Sequence, residues 1–172
     1  MRVRPVQKTD GSLLRKLHLR MYADAPDAFS ETLAQAQALS ADEWGTRAQR
    51  FSAAMDRVAF VTIDGDEPIG FISGYVGRFR DGAMHWDAQD TVTLARAWVD
   101  PRARRRGVGR ALADAVKTWA LERNADVLET QVTENNDPAI RFYAALGFTD
   151  TARREPLRSN PTLQIHFLNL PL

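Results

Sequence analysis

The chain has 172 residues, of which 44% are hydrophobic and 26% charged, a composition typical of a globular domain with its own core. Its 23 basic and 22 acidic residues leave a formal net charge of +1, so any attraction for anions must be local. The absence of cysteine excludes disulfides, thiolate metal sites and cysteine nucleophiles.

Membrane and metal functions are not indicated. The first residues lack the apolar run of a signal peptide, and no segment approaches the roughly 20 apolar residues of a membrane span. The three histidines show no metal-ligand spacing. We therefore expect a cytoplasmic protein that binds no metal and does not act at a membrane.

The N-terminal part is predicted to be mainly helical. In chain order we predict a strand at 3–6, a helix capped by Thr9 or Asp10 that runs to about Tyr22, an irregular segment at 24–30 and a helix from Ser40. The second helix begins with a capping box, in which Ser40 caps the helix and Glu43 reaches back to it.

The rest of the chain alternates strands with helices. We predict a hairpin over 58–63 and 69–77, a polar loop at 78–90, a strand at 91–99, a helix at 107–123, a strand at 126–132, a helix from the Asp137 cap and Pro138 to Gly147, and a closing strand at 162–170. This order predicts one mixed α/β (α+β) domain around a central sheet.

The densest positive cluster, "RARRRGVGRAL" at 102–112, lies where the strand at 91–99 gives way to the helix at 107–123. Unpaired backbone N–H groups and the helix dipole make such a helix start an anion site, most often for phosphate. Gly107 and Gly109 allow the backbone to approach phosphate oxygens closely. A plain basic surface segment is the alternative, and the spacing fits neither a Walker loop nor a dinucleotide fingerprint.

Two motifs together resemble the GNAT superfamily of N-acetyltransferases. The family's R/Q-x-x-G-x-G/A turn after a V-x-P strand end is matched by Val99, Pro101, Arg104, Gly107 and Gly109. The family's N-x-x-A-x-x-x-Y signature followed by L-G-F is matched by Asn136, Ala139, Tyr143 and 146–148. The resemblance covers residues 94–148, about a third of the chain.

The resemblance implies a fold and an acyl donor. The fold is a single domain over 1–172, with a mixed, mostly antiparallel sheet of six to seven strands, splayed middle strands and about four helices. The donor is acetyl-CoA, whose pyrophosphate contacts the turn and whose pantetheine arm enters the splayed strands. The implied cofactor-binding residues are Trp98, Val99, Arg104, Arg105, Arg106, Gly107, Val108, Gly109, Arg110, Asn136, Phe142 and Tyr143.

The implied reaction is direct attack of a primary amine on the thioester in a ternary complex. Tyr143 matches the family's general acid, and an unperturbed tyrosine keeps its proton at neutral pH. A backbone N–H near Val99 would stabilise the oxyanion. The general base is open: the strand at 91–99 has Thr93 where many members have glutamate, and Asp90, Glu129 or a water chain could take the proton.

The acceptor is expected to be a small-molecule or peptide amine, bound by the segments 22–32 and 151–163. The first segment offers Asp24, Asp27 and Glu31 to an ammonium group. The second offers Arg153, Arg154 and Arg158 to an acceptor with a carboxylate or phosphate. The sequence leaves the acceptor's identity and homodimer formation open.

Two other functions compete with catalysis. A non-catalytic acyl-CoA-binding regulatory module would explain the missing strand carboxylate. Nucleic-acid binding through the arginines is disfavoured, because no aromatic residues alternate with them and the net charge is near zero.

Overall fold

The computed structural model describes all 172 residues and contains five α-helices, two short 3-10 helices and nine strands. In chain order these are β1 (Arg2–Pro5), α1 (Gly11–Asp24), a 3-10 helix (Pro26–Ala28), α2 (Leu33–Ala38), α3 (Ala41–Ala53), β2 (Arg57–Asp64), β3 (Glu67–Val76), β4 (Arg78–Arg80), β5 (Ala83–His85), β6 (Thr91–Val99), a 3-10 helix (Pro101–Ala103), α4 (Val108–Leu121), β7 (Val127–Thr133), α5 (Asp137–Ala145), β8 (Thr149–Leu157) and β9 (Asn160–Pro171). None of the helices combines the length and the apolar character that crossing a bilayer requires.

Seven strands form one sheet in the order β1-β2-β3-β6-β7-β9-β8, and β4 and β5 form a separate hairpin. Every neighbouring pair in the sheet is antiparallel except β6 and β7. These two strands are parallel because α4 crosses over between them. The predicted mostly antiparallel sheet of six to seven strands is confirmed, with five α-helices instead of about four.

A hydrophobic cluster covers each face of the sheet. On one face, Leu112 and Val116 of α4 are buried in a cluster with Leu94 of β6 and Leu128 of β7. On the other face, α1 and α3 contribute a second cluster with β2 and β3. Each fully buried aliphatic side chain contributes about 1.5–3 kcal/mol, so these two clusters fix the sheet between its helices.

Several element predictions are confirmed. The strand at 91–99 has the predicted bounds, and the hairpin, the helix after the arginine turn and the capping box at Ser40 are present. The loop prediction for 78–90 is wrong, because this segment contains the β4–β5 hairpin, and the strand β8 within the acceptor segment 151–163 was not predicted. The helix α2 was not predicted.

One cap prediction holds in position only, and another is wrong. Asp10 is the N-cap residue of α1, as predicted, but its side chain makes no cap hydrogen bond and accepts from Arg4 at 2.6 and 3.0 Å instead. Asn136, rather than Asp137, caps α5, and its side-chain oxygen accepts from the backbone N–H of Ala139 at 3.2 Å.

The strands β6 and β7 pair over only part of their length. Their register runs from Thr91 opposite Val127 to Leu94 opposite Thr130, and the remaining residues 95–99 and 131–133 do not pair with each other. The ladder between β3 and β6 is irregular at the same level, where Arg96 has a φ of 53°. A bulge therefore bends β6 where it leaves its neighbour, and the predicted splaying is confirmed.

One edge of the sheet is strongly charged. The edge strand β8 carries Asp150, Arg153, Arg154 and Glu155, and its ladder with β9 is irregular between Asp150 and Arg154. Ala152, within this irregular part, has a φ of 62°.

Candidate active site

The separation of β6 and β7 opens a cleft of about 460 Å³. Its lining comes from both faces of the sheet. Leu112, Phe142 and Tyr143 line it from the side of α4 and α5, whereas Asp24 and Phe29 line it from the side of α1. The gap between the strands therefore connects the two faces, so two molecules could meet in it from opposite sides.

The start of α4 lies at one end of this cleft. Gly107 is the N-cap with a φ of 81°, a left-handed conformation that favours glycine, and the helix's first bond runs from Ala111 N to Gly107 O at 3.0 Å. The N–H groups of 108–110 precede that bond and have no acceptor within the helix. Together with the helix dipole they form an anion site, as the sequence predicts for phosphate.

Gly109 has a second reason to be glycine. A Cβ at this position would lie 3.2 Å from the ring of Phe142, and Gly109 and Phe142 both line the cleft. The first turn of α4 and the ring on α5 are therefore in close contact. Asn136, which also lines the cleft, uses its oxygen for the α5 cap and keeps its amide N–H₂ available.

Three of the five arginines in the turn are engaged outside the cleft. Arg102 binds Asp100 at 3.0 Å, and Arg106 binds Asp64 at 2.9 Å. Arg110 donates to the carbonyl of Ala145 at 3.4 Å. None of these three side chains lines the cleft, although Arg106 and Arg110 are among the predicted cofactor-binding residues.

The other two arginines line the cleft. The Nε of Arg104 donates to Val99 O at 3.0 Å, and its Nη2 forms an ion pair with Asp24. Asp24 also accepts from Trp98 Nε1 at 2.9 Å. Arg105 has no ion-pair partner, so among the arginines of the turn it is the one that lines the cleft and remains free to bind an anion.

Tyr143 lies in the cleft on the α4 and α5 side, and only 4% of its surface is exposed. Burial raises the pKa of Tyr143 to about 12, while the hydroxyl of neighbouring Thr130 acts in the opposite direction. The phenol therefore keeps its proton over the whole physiological pH range.

Neither of the two predicted base residues reaches the cleft. Asp90 precedes β6 at its paired end, away from the gap, and accepts a hydrogen bond from the Thr91 hydroxyl at 3.0 Å. Glu129 is opposite Thr93 in the paired part of the strands and does not line the cleft. It is buried, burial raises its pKa, and Arg78 Nε lies 3.8 Å away. Asp24 is the only carboxylate that lines the cleft.

The charged groups predicted to bind the acceptor are mostly paired. Glu31 forms two hydrogen bonds with Arg47, at 2.6 and 3.0 Å. Arg153 pairs with Glu155. Arg154 pairs with Asp150 at 2.7 Å. Arg158 donates to Gly82 O at 3.3 Å, and neither these arginines nor Asp27 lines the cleft.

Sequence reasoning missed Arg96. This residue lines the cleft at the bulge of β6 and donates to the hydroxyl of Tyr75 at 2.7 Å. A single charged residue inside the otherwise uncharged stretch "TVTLARAWV" is the signal that could have identified it.

Comparisons with known proteins agree on one family. Residues 19–148 match the model of the Acetyltransferase (GNAT) family. The chain is 35% identical over 92 residues to the peptidyl-lysine N-acetyltransferase YjaB of Escherichia coli, a match over 52% of this chain and 48% of that protein. It is 28% identical over 160 residues to aminoglycoside N(6')-acetyltransferase type 1 of Klebsiella aerogenes, a match over 90% of this chain and 96% of that enzyme.

Solved structures share the fold over nearly the whole chain. A GNAT-family acetyltransferase of Streptococcus pneumoniae superposes with a TM-score of 0.82 at 14% identity, covering 99% of this chain and 98% of the other. YncA of Salmonella typhimurium, a putative acetyltransferase solved with its cofactor acetyl-CoA, gives 0.77 at 21% identity, covering 100% and 94%.

Proposed function

The chain belongs to the GNAT family of acetyltransferases, and on that premise we propose that it transfers an acetyl group from acetyl-CoA directly to a primary amine. The observation that carries this proposal is the cleft at the parted strands, lined on one face by Tyr143 and the start of α4 and on the other by Asp24 and Arg96. A donor and an acceptor could enter from opposite faces and react inside the sheet without a covalent enzyme intermediate.

The donor is assigned to the side of α4 and α5. The free N–H groups of 108–110 and the guanidinium of Arg105 would bind the pyrophosphate through charge-assisted hydrogen bonds. The side of 95–99 that faces β7 has no strand partner and would pair with the amide-rich pantetheine arm as with a neighbouring strand. Arg104 must then release Val99 O if that carbonyl is to accept from the arm.

The chemistry requires a proton donor at the sulfur. Acetyl-CoA supplies an activated thioester, whose C–S bond breaks as the amine forms a C–N bond. Tyr143 would donate its proton to the departing sulfur and regain one from solvent. A backbone N–H of β6 near Val99 would stabilise negative charge on the carbonyl oxygen.

Asp24 is assigned to attraction of the acceptor rather than to proton removal. Its carboxylate accepts hydrogen bonds from Trp98 and Arg104, which hold it in the cleft as an electrostatic partner for an ammonium group. We assign the loss of the ammonium proton to solvent. The acceptor class is an amine, because relatives with the names peptidyl-lysine and aminoglycoside acetyltransferase both modify amines.

The substitution Tyr143→Phe tests the proposal. We expect kcat to fall by about 10²–10⁴, because the departing sulfur loses its proton donor, while the Kd for acetyl-CoA stays within about twofold. Steady-state kinetics with a panel of amines and calorimetric titration of acetyl-CoA measure the two quantities. An unchanged kcat would remove Tyr143 as the acid.

The same measurements test the regulatory alternative. A non-catalytic acyl-CoA-binding module would bind acetyl-CoA but acetylate none of the amines in the wild-type protein. Tight binding without turnover would therefore contradict the proposed transferase activity.

A further inference from the structure

A second cavity of about 180 Å³ adjoins the cleft on the face covered by α1 and α3. Arg96 lines both spaces, so it lies at the point where they meet. The cavity is therefore positioned to hold a part of the acceptor while its amine lies in the gap between β6 and β7. We refer to this second cavity as the arginine pocket.

Its lining is positive and contains no carboxylate. Four arginines line it, Arg47 and Arg50 from α3, Arg57 from β2 and Arg96 from β6. Carboxylates outside the lining compensate two of them: Glu31 binds Arg47, and Asp56 binds Arg57 at 2.8 Å. Arg50 and Arg96 have no carboxylate within 4.0 Å. Glu31 acts on Arg96 only from a longer distance and already binds Arg47, so the lining keeps a net positive charge.

The other polar groups of the arginine pocket do not supply the missing negative charge. His18 on α1 is buried, and its Nδ1 bonds the carbonyl of Leu14 at 2.8 Å. Burial lowers the pKa of His18 to about 3, so the ring is neutral. The Tyr75 hydroxyl accepts from Arg96 at 2.7 Å, which leaves its own proton available to an anion.

The local geometry holds Arg96 in this position. The bulge in β6, where Arg96 has a φ of 53°, directs its guanidinium to Tyr75, and the Tyr22 hydroxyl lies beside it. A partly buried guanidinium that no carboxylate contacts is costly and offers a planar fork to an oxyacid anion. The pocket thus combines a fixed cation, a second, exposed cation on Arg50 and enough space for a small anionic group.

We propose that the arginine pocket binds an anionic oxyacid group, carboxylate or phosphate, of the acceptor, so that the acceptor is an amine and an acid in one molecule. This inference rests on the proposed function and narrows it. It disfavours polycationic acceptors such as aminoglycosides, because the unpaired guanidinium groups would repel their ammonium groups.

Matched acceptors test the proposal. The pairs are phenylalanine and phenethylamine, histidine and histamine, and O-phosphoethanolamine and ethanolamine, where each pair differs in its anionic group. We expect kcat/KM to favour the anionic member by at least about tenfold in one pair or more. A preference in the third pair alone identifies phosphate, and a preference in either of the first two identifies carboxylate.

Substitutions of the pocket arginines test whether these residues cause the preference for the anionic acceptor. Arg96→Met and the exposed Arg50→Met should each reduce it, mainly through a higher KM for the anionic acceptor, and Arg96→Lys should restore part of it. Arg15→Met, an exposed and unpaired arginine on α1, is the matched control and should keep the full preference. If Arg96→Met fails to fold, Arg50→Met still provides the test, because its side chain is exposed.

Measurements of acceptor binding distinguish a failure of this inference from a failure of the proposed transferase activity. The anionic and neutral members of each pair are titrated calorimetrically into wild-type and variant proteins saturated with CoA. One outcome is that the anionic members bind more tightly, that Arg50→Met weakens this binding, and that no amine is acetylated. This outcome would support the arginine pocket and contradict the proposed transferase activity. Equal binding and equal turnover of both members in all three pairs would overturn the arginine pocket.

Discussion

Gly107 and Gly109 are two residues apart, but different physical constraints require them. Gly107 needs a positive φ, and no atom lies within 4 Å of the Cβ it lacks. Gly109 is helical, and its missing Cβ leaves room for the ring of Phe142. The missing Cβ of Gly109 also keeps the first turn of α4 accessible to a phosphate. Substitutions of Gly109 are therefore the more informative test of the donor site.

We predict that Gly109→Glu weakens acetyl-CoA binding by at least about 100-fold. A carboxylate about 4 Å from the pyrophosphate repels it by several kcal/mol at the effective dielectric of a protein surface, and 1.4 kcal/mol is about tenfold in Kd. Calorimetric titration of acetyl-CoA gives the Kd.

Two further variants separate charge from crowding. Gly109→Ala adds only the Cβ near Phe142 and should cost far less affinity than Gly109→Glu. Gly45→Glu adds the same charge on α3, where a Cβ meets nothing within 4 Å, and should bind as the wild type does. Equal loss in the two Gly109 variants would mean that crowding, not charge, explains the effect.

At the residue scale, sequence could identify the groups but not their partners. Tyr143, Gly107 and Gly109 are found by motif; Tyr143 and Gly109 line the cleft, and Gly107 is the N-cap of α4. The partners of Arg104 and Arg106 could not be predicted, because Asp24 and Asp64 are 80 and 42 residues away in the chain. Ion pairs of this kind are set by tertiary packing alone.

At the element scale, Glu31 connects three segments on the face of the sheet that α1 and α3 cover. It lies in the segment between the 3-10 helix and α2, accepts from the Tyr22 hydroxyl of α1 at 2.6 Å and binds Arg47 of α3. Burial raises the pKa of Glu31, but the bonds from Arg47 and Tyr22 outweigh it and lower the pKa from 4.5 to about 2. The carboxylate therefore stabilises the fold in its ionised form.

We predict that Glu31→Gln lowers the free energy of unfolding at pH 7 by about 1–3 kcal/mol, because bonds to a charged group are lost. The pKa is depressed in the folded state, so the stabilisation is complete above pH 4.5 and declines as the pH falls towards 2. Urea unfolding at several pH values measures the difference between variant and wild type.

Glu122→Gln provides the matched control for this prediction. Glu122 is exposed at the C-terminal end of α4 and has no ion-pair partner, so its substitution should change the free energy of unfolding by less than about 0.5 kcal/mol. A Glu31→Gln effect that did not decline in acid would contradict the role assigned to the ionised carboxylate.

Element prediction failed for short segments and for the charged edge strand β8, whose nine mostly exposed residues show no apolar alternation. The three-residue strands β4 and β5 have too few residues to show a period, and their pairing is local. The six-residue helix α2 is equally short, but its capping box of Thr32 and Gln35 was readable in the sequence and could have located it. Longer amphipathic elements such as α4 were predictable, because their apolar stripe dictates which face is buried.

At the scale of the whole molecule, the sheet consists of two parts joined at one seam. The strands β1, β2, β3 and β6 form one part, and β7, β9 and β8 form the other. Only the four residue pairs from Thr91–Val127 to Leu94–Thr130 connect the parts through the sheet. A cofactor arm between the parted strands would join the two parts where the protein's own ladder stops.

We predict that acetyl-CoA stabilises the whole fold and not only the turn at Gly107. At 100 times its Kd a ligand adds about 2.7 kcal/mol, which for a chain of this size is a rise in Tm of about 5–11 °C. Hydrogen exchange should slow on both sides of the gap, in 95–99 and in 131–133. Calorimetry and exchange mass spectrometry measure the two effects.

The Gly109→Glu variant again supplies the control, since it should show neither the rise in Tm nor the slower exchange at the same acetyl-CoA concentration. Protection confined to the α4 turn in the wild type would contradict the assignment of the arm to the gap between β6 and β7.

The charged edge strand β8 bears on how the protein behaves at high concentration. Exposed strand edges are templates for the addition of strands from other molecules, and charges and irregular pairing prevent such addition. Asp150, Arg153, Arg154 and Glu155, with the irregular ladder around Ala152, therefore protect this side of the sheet from aggregation. Variants that replace these residues by apolar ones would be less soluble and would form fibrils through their exposed strand edges, even if each molecule folds correctly.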